Sequence, residues 1–328
     1  MENSNEVIIN VENLTKDYGY GRGVFDISIK IHKGECYGYL GPNGAGKSTT
    51  IRHIMGFARP TVGKVQIFGV DSFGHTDQIL AKVGYLPGEP AIPAGLDGWG
   101  FIHMMQGMRD DYNEERLQYL LDLFKFNPNM SVKEMSLGEK RKLAVVAAFM
   151  NDPDVLILDE PTSGLDPIMQ KVFIKFIIEE KKRGKTILLS SHIFSEVDAT
   201  CDTISIIKDG HHVSTFNAQE LKSKQDRTFI LHFANKEEMD NYLKKNKLEV
   251  VEQNDATLTL MIRFPIDKHN EFFQTLRGSK ITSFEEKPFT LQDYFMSFYK
   301  EDREFGGLEG VKGNTKKGLD SKEDDKCE

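Results

Sequence analysis

The chain predicts an α/β fold with a parallel sheet, interrupted by a helical insertion and followed by a smaller α+β unit. Three observations carry this expectation. Gly41-Pro42-Asn43-Gly44-Ala45-Gly46-Lys47-Ser48-Thr49 is a complete phosphate-binding loop: Gly, four residues, then Gly-Lys-Ser. Asp154-Val155-Leu156-Ile157-Leu158-Asp159 is an almost continuous apolar run ending in acid, the mark of a strand buried on both faces. From about Asp226 the order becomes strand, helix, strand, strand, helix, strand, the split β-α-β order of a ferredoxin-like unit.

Taken in order, Val7–Glu12 and Val24–Ile31 read as strands around a glycine-rich turn at Gly19–Gly23. Glu35–Leu40 reads as the strand entering the phosphate loop and Thr49–Met55 as the helix leaving it. Lys64–Phe68 and Val83–Leu86 are short strands. After Pro87 the character turns helical, which predicts a helical subdomain over about residues 89–150. Phe101, Met104, Met105 and Met108 keep helical spacing, as do Leu117, Leu120, Leu121 and Phe124; Leu137–Met150 supplies a third helix. The methionine-rich stripe reads as a core stripe rather than a partner-binding face. Strands at Val155–Leu158, Lys185–Ser190 and Thr203–Lys208, with a helix over Ile168–Lys182, complete a first domain of residues 1–222.

A second domain is expected over residues 226–300. Its strands are Thr228–Phe233, Leu248–Glu252, Thr257–Phe264 and Lys280–Glu285, and its helices Lys236–Lys245, Asp267–Leu276 and Leu291–Tyr299. Residues 301–328 are rich in Gly, Lys, Asp and Glu with few apolar side chains, and are expected to be disordered.

Composition narrows the setting. A net charge of −8 argues against a nucleic-acid surface as the main role. Cys36, Cys201 and Cys327 are widely spaced and odd in number, which fits a reducing compartment rather than a disulfide framework. No apolar run reaches the roughly 20 residues of a membrane span. Met1-Glu2-Asn3-Ser4-Asn5-Glu6 is acidic and polar, unlike a secretory signal, so a cytoplasmic location is expected.

The chemistry starts at the phosphate loop. Its glycines let successive backbone N–H groups converge on phosphate, and the following helix adds its positive dipole end. Lys47 is suited to the outer phosphates and the Ser48 hydroxyl to Mg²⁺. Asp159 and Glu160 stand at the carboxyl end of a buried strand, where α/β sheets place their ligands. Asp159 suits a Mg²⁺ shell, and Glu160 suits orienting or deprotonating a water. A lone Asp-Glu pair often merely ends a strand, but here Pro161-Thr162-Ser163-Gly164-Leu165-Asp166-Pro167 follows directly.

With these motifs in order, the chain resembles the ATP-binding subunit of an ATP-binding cassette (ABC) transporter. Met135-Ser136-Leu137-Gly138-Glu139-Lys140-Arg141-Lys142 stands where that family carries its signature, usually Leu-Ser-Gly-Gly-Gln. Ser163-Gly164-Leu165-Asp166 matches its dimer-contacting loop, and Ser190-Ser191-His192 its switch histidine. Tyr18 matches the aromatic residue that stacks on adenine, although Tyr20 could stack instead. The resemblance spans about Val7 to Ser214.

It implies a P-loop NTPase cassette using ATP and Mg²⁺. Lys47, Glu160 and His192 would be catalytic, and Ser48 and Asp159 would hold the metal. ATP would be bound by Tyr18 and by Gly41, Pro42, Asn43, Gly44, Ala45, Gly46, Lys47, Ser48 and Thr49. Ser136, Gly138 and Glu139 of a second cassette, in a homodimer or heterodimer, would close the site head to tail. The resemblance further implies a separate multi-span membrane permease, no nucleic-acid partner, and a peripheral place on the inner face of the cell membrane. The layout is most similar to exporters of drugs, peptides or lipids. Two alternatives stay open: a soluble cassette acting on ribosomes or DNA, and a binding-only cassette with very slow hydrolysis. Two departures bear on the second. Gly88 stands where the family has a glutamine, with Glu89 one residue away, and Leu137 and Glu139 replace a glycine and a glutamine of the signature.

Overall fold

A computed structural model describes residues 6–109, 113–224, 226–246, 248–265, 268–287 and 289–295. The chain begins with β1 (Val7–Asp17), β2 (Gly23–His32), β3 (Cys36–Leu40), α1 (Lys47–Ile54), β4 (Val62–Ile67), β5 (Val70–Asp71), α2 (Thr76–Leu80) and β6 (Val83–Leu86). The helical insertion α3 (Gly98–Gln106), α4 (Glu114–Leu123) and α5 (Leu137–Phe149) follows. Then come β7 (Val155–Asp159), α6 (Pro167–Lys182), β8 (Thr186–Ser191), α7 (Phe194–Thr200), β9 (Thr203–Lys208), β10 (His211–Asn217) and α8 (Ala218–Lys224).

Among the described residues these strands form one sheet in the order β5-β4-β1-β2-β10-β9-β3-β8-β7-β6. The arm β9-β3-β8-β7-β6 is parallel, and every residue of β3, β7 and β8 is buried, including the polar Asp159, Thr186, Ser190 and Ser191 near the strand ends. The arm β4-β1-β2 is antiparallel and meets the first through β10, at His211 opposite Phe25. Helix α1 sits on the core shared by the two arms. Ile51 and Ile54 pack into one apolar cluster with Val11 and Ile27 from one arm and Tyr39, Ile157 and Leu188 from the other. Burial of each such side chain is worth roughly 1.5–3 kcal/mol, so the helix that leaves the phosphate loop is anchored to both.

The insertion is built from capped helices. Asp97 accepts from Gly100 N at 2.7 Å, Asn113 accepts from Arg116 N at 2.9 Å, and Ser136 opens α5 with a full capping box. Phe124 and Phe149 pack edge-on against Phe176 of α6 at 5.5 and 4.9 Å, which fixes the insertion to the core. The methionine stripe differs from the sequence expectation. Gly98, Phe101 and Ile102 are the buried residues of α3, Met104 and Met105 are half-buried, and Met108 is exposed.

Strands β5 and β10 and helices α2, α7 and α8 are absent from the sequence reading. Strand β10 had a usable signal: Asp209-Gly210, with φ of 49° and 77°, makes the two-residue hairpin joining it to β9.

After α8 the chain forms β11 (Arg227–Phe233), α9 (Lys236–Lys245), β12 (Glu249–Asn254), β13 (Thr259–Phe264), α10 (His269–Leu276) and β14 (Ile281–Lys287). The sheet order is β12-β13-β11-β14, antiparallel throughout, which is the ferredoxin-like arrangement. Met239, Tyr242 and Phe272 from its helices pack on Phe229, Leu231, Phe233, Leu260 and Ile262. The expected helix Leu291–Tyr299 is helical over 291–295, and its remainder lies outside the described residues, as does the tail 301–328.

A charged cluster ties the insertion to the core. Arg116 of α4 pairs at 2.7 Å with Glu180 of α6, which is 2 % exposed and also accepts from Arg183 at 3.0 Å. Arg183 and Lys185 in turn pair with Asp152 at 2.6 and 3.1 Å. Removing one partner of a buried pair leaves the other charge uncompensated. Glu180→Leu is therefore expected to lower the unfolding free energy by about 3–5 kcal/mol in urea titrations, and Glu180→Gln by less. Burial acts to raise the Asp152 carboxyl, but the hydrogen bonds and charges of Arg183 and Lys185 outweigh it and hold it below its ordinary 3.8. A depressed acid contributes stability above its unfolded value and loses it as pH falls through the lower folded one. The urea midpoint should therefore drop as pH falls below 3.8, and Asp152→Asn should flatten that part of the profile.

Candidate nucleotide site

The site lies at the carboxyl ends of β3, β8 and β7, where parallel register sets Leu40 beside Ser191 and Asp159 beside Ser190. The loop 41–46 leaves β3 and enters α1 at Gly46, whose φ is 105° and which provides no side-chain cap. A Cβ at Gly46 would approach Val24 Cγ1 to 2.7 Å, so only glycine brings the chain through. The first turn of α1 thus points uncapped N–H groups outward, an arrangement that fits phosphate. A cleft of about 480 Å³ lies over it, lined by Tyr18, Arg22, Asn43, Gly44, Gly46, Lys47, Ser48 and Thr49, with Glu160 and Asp209 at its sides. Of the two candidate aromatics, Tyr18 lines this cleft, and Tyr20 projects fully into solvent.

Lys47 is 5 % exposed. Its Nζ donates to Gly41 O at 2.7 Å and Pro42 O at 3.1 Å, and pairs with Glu160 Oε1 at 3.0 Å. The other oxygen of Glu160 meets His192 Nδ1 at 2.6 Å. One carboxylate therefore bridges the phosphate-loop lysine and the histidine. Glu160 holds this place with φ 47°, a left-handed backbone worth of order 1–3 kcal/mol of strain. Its N–H is secured by Ser190 O at 3.1 Å.

Asp159 is buried and accepts from Ser190 Oγ. It shares a second cleft, of about 760 Å³, with Ser48, Tyr85, Gly88, Glu89, Glu160 and His192. Burial, with the Asp159 charge adding to it, pushes the Tyr85 hydroxyl up to about 12. A hydroxyl and a carboxylate on one cleft suit a hard cation that keeps waters and phosphate oxygens as its other ligands. Among the described residues no group of three or more His, Cys, Asp or Glu converges as an all-protein cage. The residues fit Mg²⁺ carried with a nucleotide.

Ser136, Gly138 and Glu139 stand apart from these clefts, at the N-terminus of α5. Glu139 turns back on its own cap: its Oε2 accepts from Ser136 N at 3.0 Å and Ser136 Oγ at 3.1 Å, while Ser136 Oγ accepts from Glu139 N at 3.2 Å. The carboxylate that stands in the signature is thus spent on the helix terminus. Leu137 is exposed and lies over the loop 163–166, where a Cβ on Gly164 would come within 2.9 Å of Leu137 Cγ. Asp166 caps α6, accepting from Ile168 N at 2.9 Å and Met169 N at 3.0 Å.

Two residues of the site escaped the sequence reading. Glu196 of α7, 3 % exposed, accepts from Thr162 Oγ1 and from Ser191 Oγ at 2.8 Å, linking the segment after Glu160 to the end of β8. Burial pushes its carboxyl up. Arg141 is 1 % exposed and holds three loop carbonyls.

Known proteins resemble this chain in sequence and fold. The ABC transporter family matches residues 24–163. The bacitracin transport ATP-binding protein BcrA of Enterococcus faecalis is 34% identical over 67% of this chain and 72% of its own length. The Nod factor export ATP-binding protein I of Rhizobium leguminosarum bv. viciae is 35% identical over the same shares, 67% and 72%. A solved ATP binding subunit of an ABC transporter superposes with a TM-score of 0.60 at 27% identity, over 66% of this chain and 92% of that one. The dimeric cassette MJ0796 bound to ADP and Pi shares the fold, with a TM-score of 0.59 at 20% identity, over 64% and 99% of the two chains. The chain belongs to the ATP-binding subunits of ABC transporters.

Proposed function

We propose that this chain is the ATP-hydrolysing subunit of an exporter whose membrane-spanning permease is a separate chain. The observation that carries the reading is Glu160 set between Lys47 and His192 at the mouth of the phosphate loop. In the described residues no helix is long and apolar enough to cross a membrane, which fits an engine that docks on another chain. The names of relatives that act in bacitracin transport and Nod factor export support an export role. On this reading the chain works from the cytoplasm, against the inner face of the membrane.

The loop amides and Lys47 would hold the β- and γ-phosphates, Tyr18 would take the adenine, and Ser48 and Asp159 would hold Mg²⁺. Mg²⁺, when bound, neutralises charge on the phosphate oxygens. With phosphate as the partner of Lys47, Glu160 is released to orient and polarise a water in line with the phosphorus, and His192 keeps that carboxylate and the phosphate in register. Ser136 and the Gly138 N–H of a second cassette close the site, with the helix dipole of α5 directed at the transferred phosphate. Glu139 contributes by fixing that helix end. A homodimer or a heterodimer satisfies this geometry equally. We assign the engine to residues 1–222, with the helical subdomain at about 89–150. Residues 226–300 are assigned to an accessory unit that contacts its symmetry mate or regulates the engine.

Lys47→Ala should weaken ATP binding by about 10–100-fold, the loss of a charge-assisted contact of 1.5–3 kcal/mol, measured by calorimetry. Glu160→Gln should bind ATP yet lower the turnover number by about 10²–10⁴, the usual worth of a general base, and accumulate as an ATP-bound dimer in sizing runs. Hydrolysis by Glu160→Gln at the wild-type rate would remove Glu160 from its role. Negligible phosphate release by both proteins would favour a binding-only cassette.

A further inference from the structure

We propose that Arg141 is a positioning residue that joins the α5 helix to the metal-facing acid and to the loop 163–166, so that the parts this chain lends to its own ATP site and to its partner's move as one body. This rests on the ATPase reading above. The guanidinium leaves α5 five residues after Ser136 and is 1 % exposed. Its Nε donates to Ser163 O at 2.9 Å, Nη1 to Pro87 O at 2.7 Å, and Nη2 to Gly88 O. Three carbonyls from two separate loops are therefore held in the plane of one side chain.

Two physical points make this more than filler. Burying a guanidinium is costly unless its donors are satisfied, and among the described residues no carboxylate lies within ion-pair distance of it. Its surroundings are nonetheless acidic: Asp159, Glu160 and Glu89 act on its charge from further off, while burial works to release its proton. A cation is thus kept beneath the acids of the site with its hydrogen bonds given to backbone. The second point is the loop itself. Gly88 has no side chain to reach the metal, and its backbone lies so close that a Cβ there would be 3.2 Å from Asp159 Oδ2. Arg141 is what keeps that loop pressed against Asp159.

The consequence is mechanical. The signature serine and the Gly138 N–H open α5, and the same helix grips Pro87-Gly88 on one side and Ser163 on the other. A pull on the α5 N-terminus by a nucleotide bound to the partner is delivered to Asp159 through the loop at 88 and to the dimer interface through Ser163. Lysine cannot replace the fork, because one ammonium does not span three carbonyls set in a plane.

The test compares full-length wild type, Arg141→Lys, Arg141→Met and Gly88→Ala. Two readouts are used: steady-state ATP hydrolysis across a Mg²⁺ titration, and hydrogen–deuterium exchange without nucleotide. Expected for Arg141→Lys is a fall in turnover number of about tenfold or more, the scale on which small misplacements act. KM for ATP should stay within about twofold, because the phosphate loop is untouched, and half-saturation by Mg²⁺ should move up. Exchange should quicken together in the segments 86–90 and 161–165. Gly88→Ala should reproduce the Mg²⁺ shift alone. A wild-type turnover number and Mg²⁺ response in Arg141→Lys, or quickened exchange in only one of the two segments, would overturn the proposal. Should Arg141→Met fail to fold, Arg141→Lys decides. Should wild type release no phosphate, the ATPase reading fails, and the paired exchange readout still decides the clamp.

Discussion

The ammonium of Lys47 is a buried cation that the fold must neutralise before any nucleotide arrives. It sits at 5 % exposure with two loop carbonyls and one carboxylate, Glu160, as its partners. The pairing places demands on everything around it. Glu160 reaches the lysine only because β7 and β3 lie on either side of β8 in parallel register and because its backbone accepts a left-handed turn before Pro161. His192 completes the hydrogen-bonded set from just beyond the end of the same central strand. The carboxylate fills the role of an anion beside Lys47; on the proposed function, phosphate displaces it toward the position from which it activates a water. The site therefore carries its own counter-charge, and on the proposed function substrate binding and release of Glu160 are one event.

A second tier of buried polar groups holds the loops around that centre. Glu196 links Thr162 to Ser191, and Arg141 links Ser163 to Pro87 and Gly88. Both are nearly inaccessible to water and both spend their hydrogen bonds on loop segments. Interactions of this kind are stiff, since breaking one leaves an orphaned charge or carbonyl in a low-dielectric interior. The site consequently has few ways to change one loop at a time. Leu137 adds an apolar contact between the α5 N-terminus and Gly164. The substitutions that set this signature apart thus have structural explanations: Leu137 packs on the dimer loop, and Glu139 is the third residue of a capping box.

Local chemistry was legible in the sequence, and its tertiary supports were not. The phosphate loop, the Asp159-Glu160 pair and His192 each announce themselves through residue types that the chemistry needs at fixed positions on a strand end. The parallel arm followed from unbroken apolar runs such as Val155–Leu158, and the ferredoxin-like order from the alternation of elements after Asp226. Arg141 and Glu196 gave no such signal, because an Arg or Glu on a helix reads as solvated until the fold shows which face is inside. Glu139 was legible in principle: Ser136 followed three residues later by a glutamate is a capping box. Strand β10 was missed although Asp209-Gly210 marks its hairpin, because its polar alternation is weak. The methionine stripe failed for the opposite reason: correct helical spacing on α3 gave no sign of which neighbours lie inside the fold.

The central claim is that Glu160 occupies the place of a phosphate anion between Lys47 and His192. Its most direct test is the affinity for ATP and for ADP, by calorimetry in the absence of divalent metal, of wild type and Glu160→Gln. Removing the internal anion frees Lys47 for the nucleotide, so Glu160→Gln should bind ATP more tightly than wild type, by about tenfold for each 1.4 kcal/mol of competition removed, with a smaller gain for ADP. Equal ATP affinity in the two proteins, or the same gain for ADP as for ATP, would contradict the account.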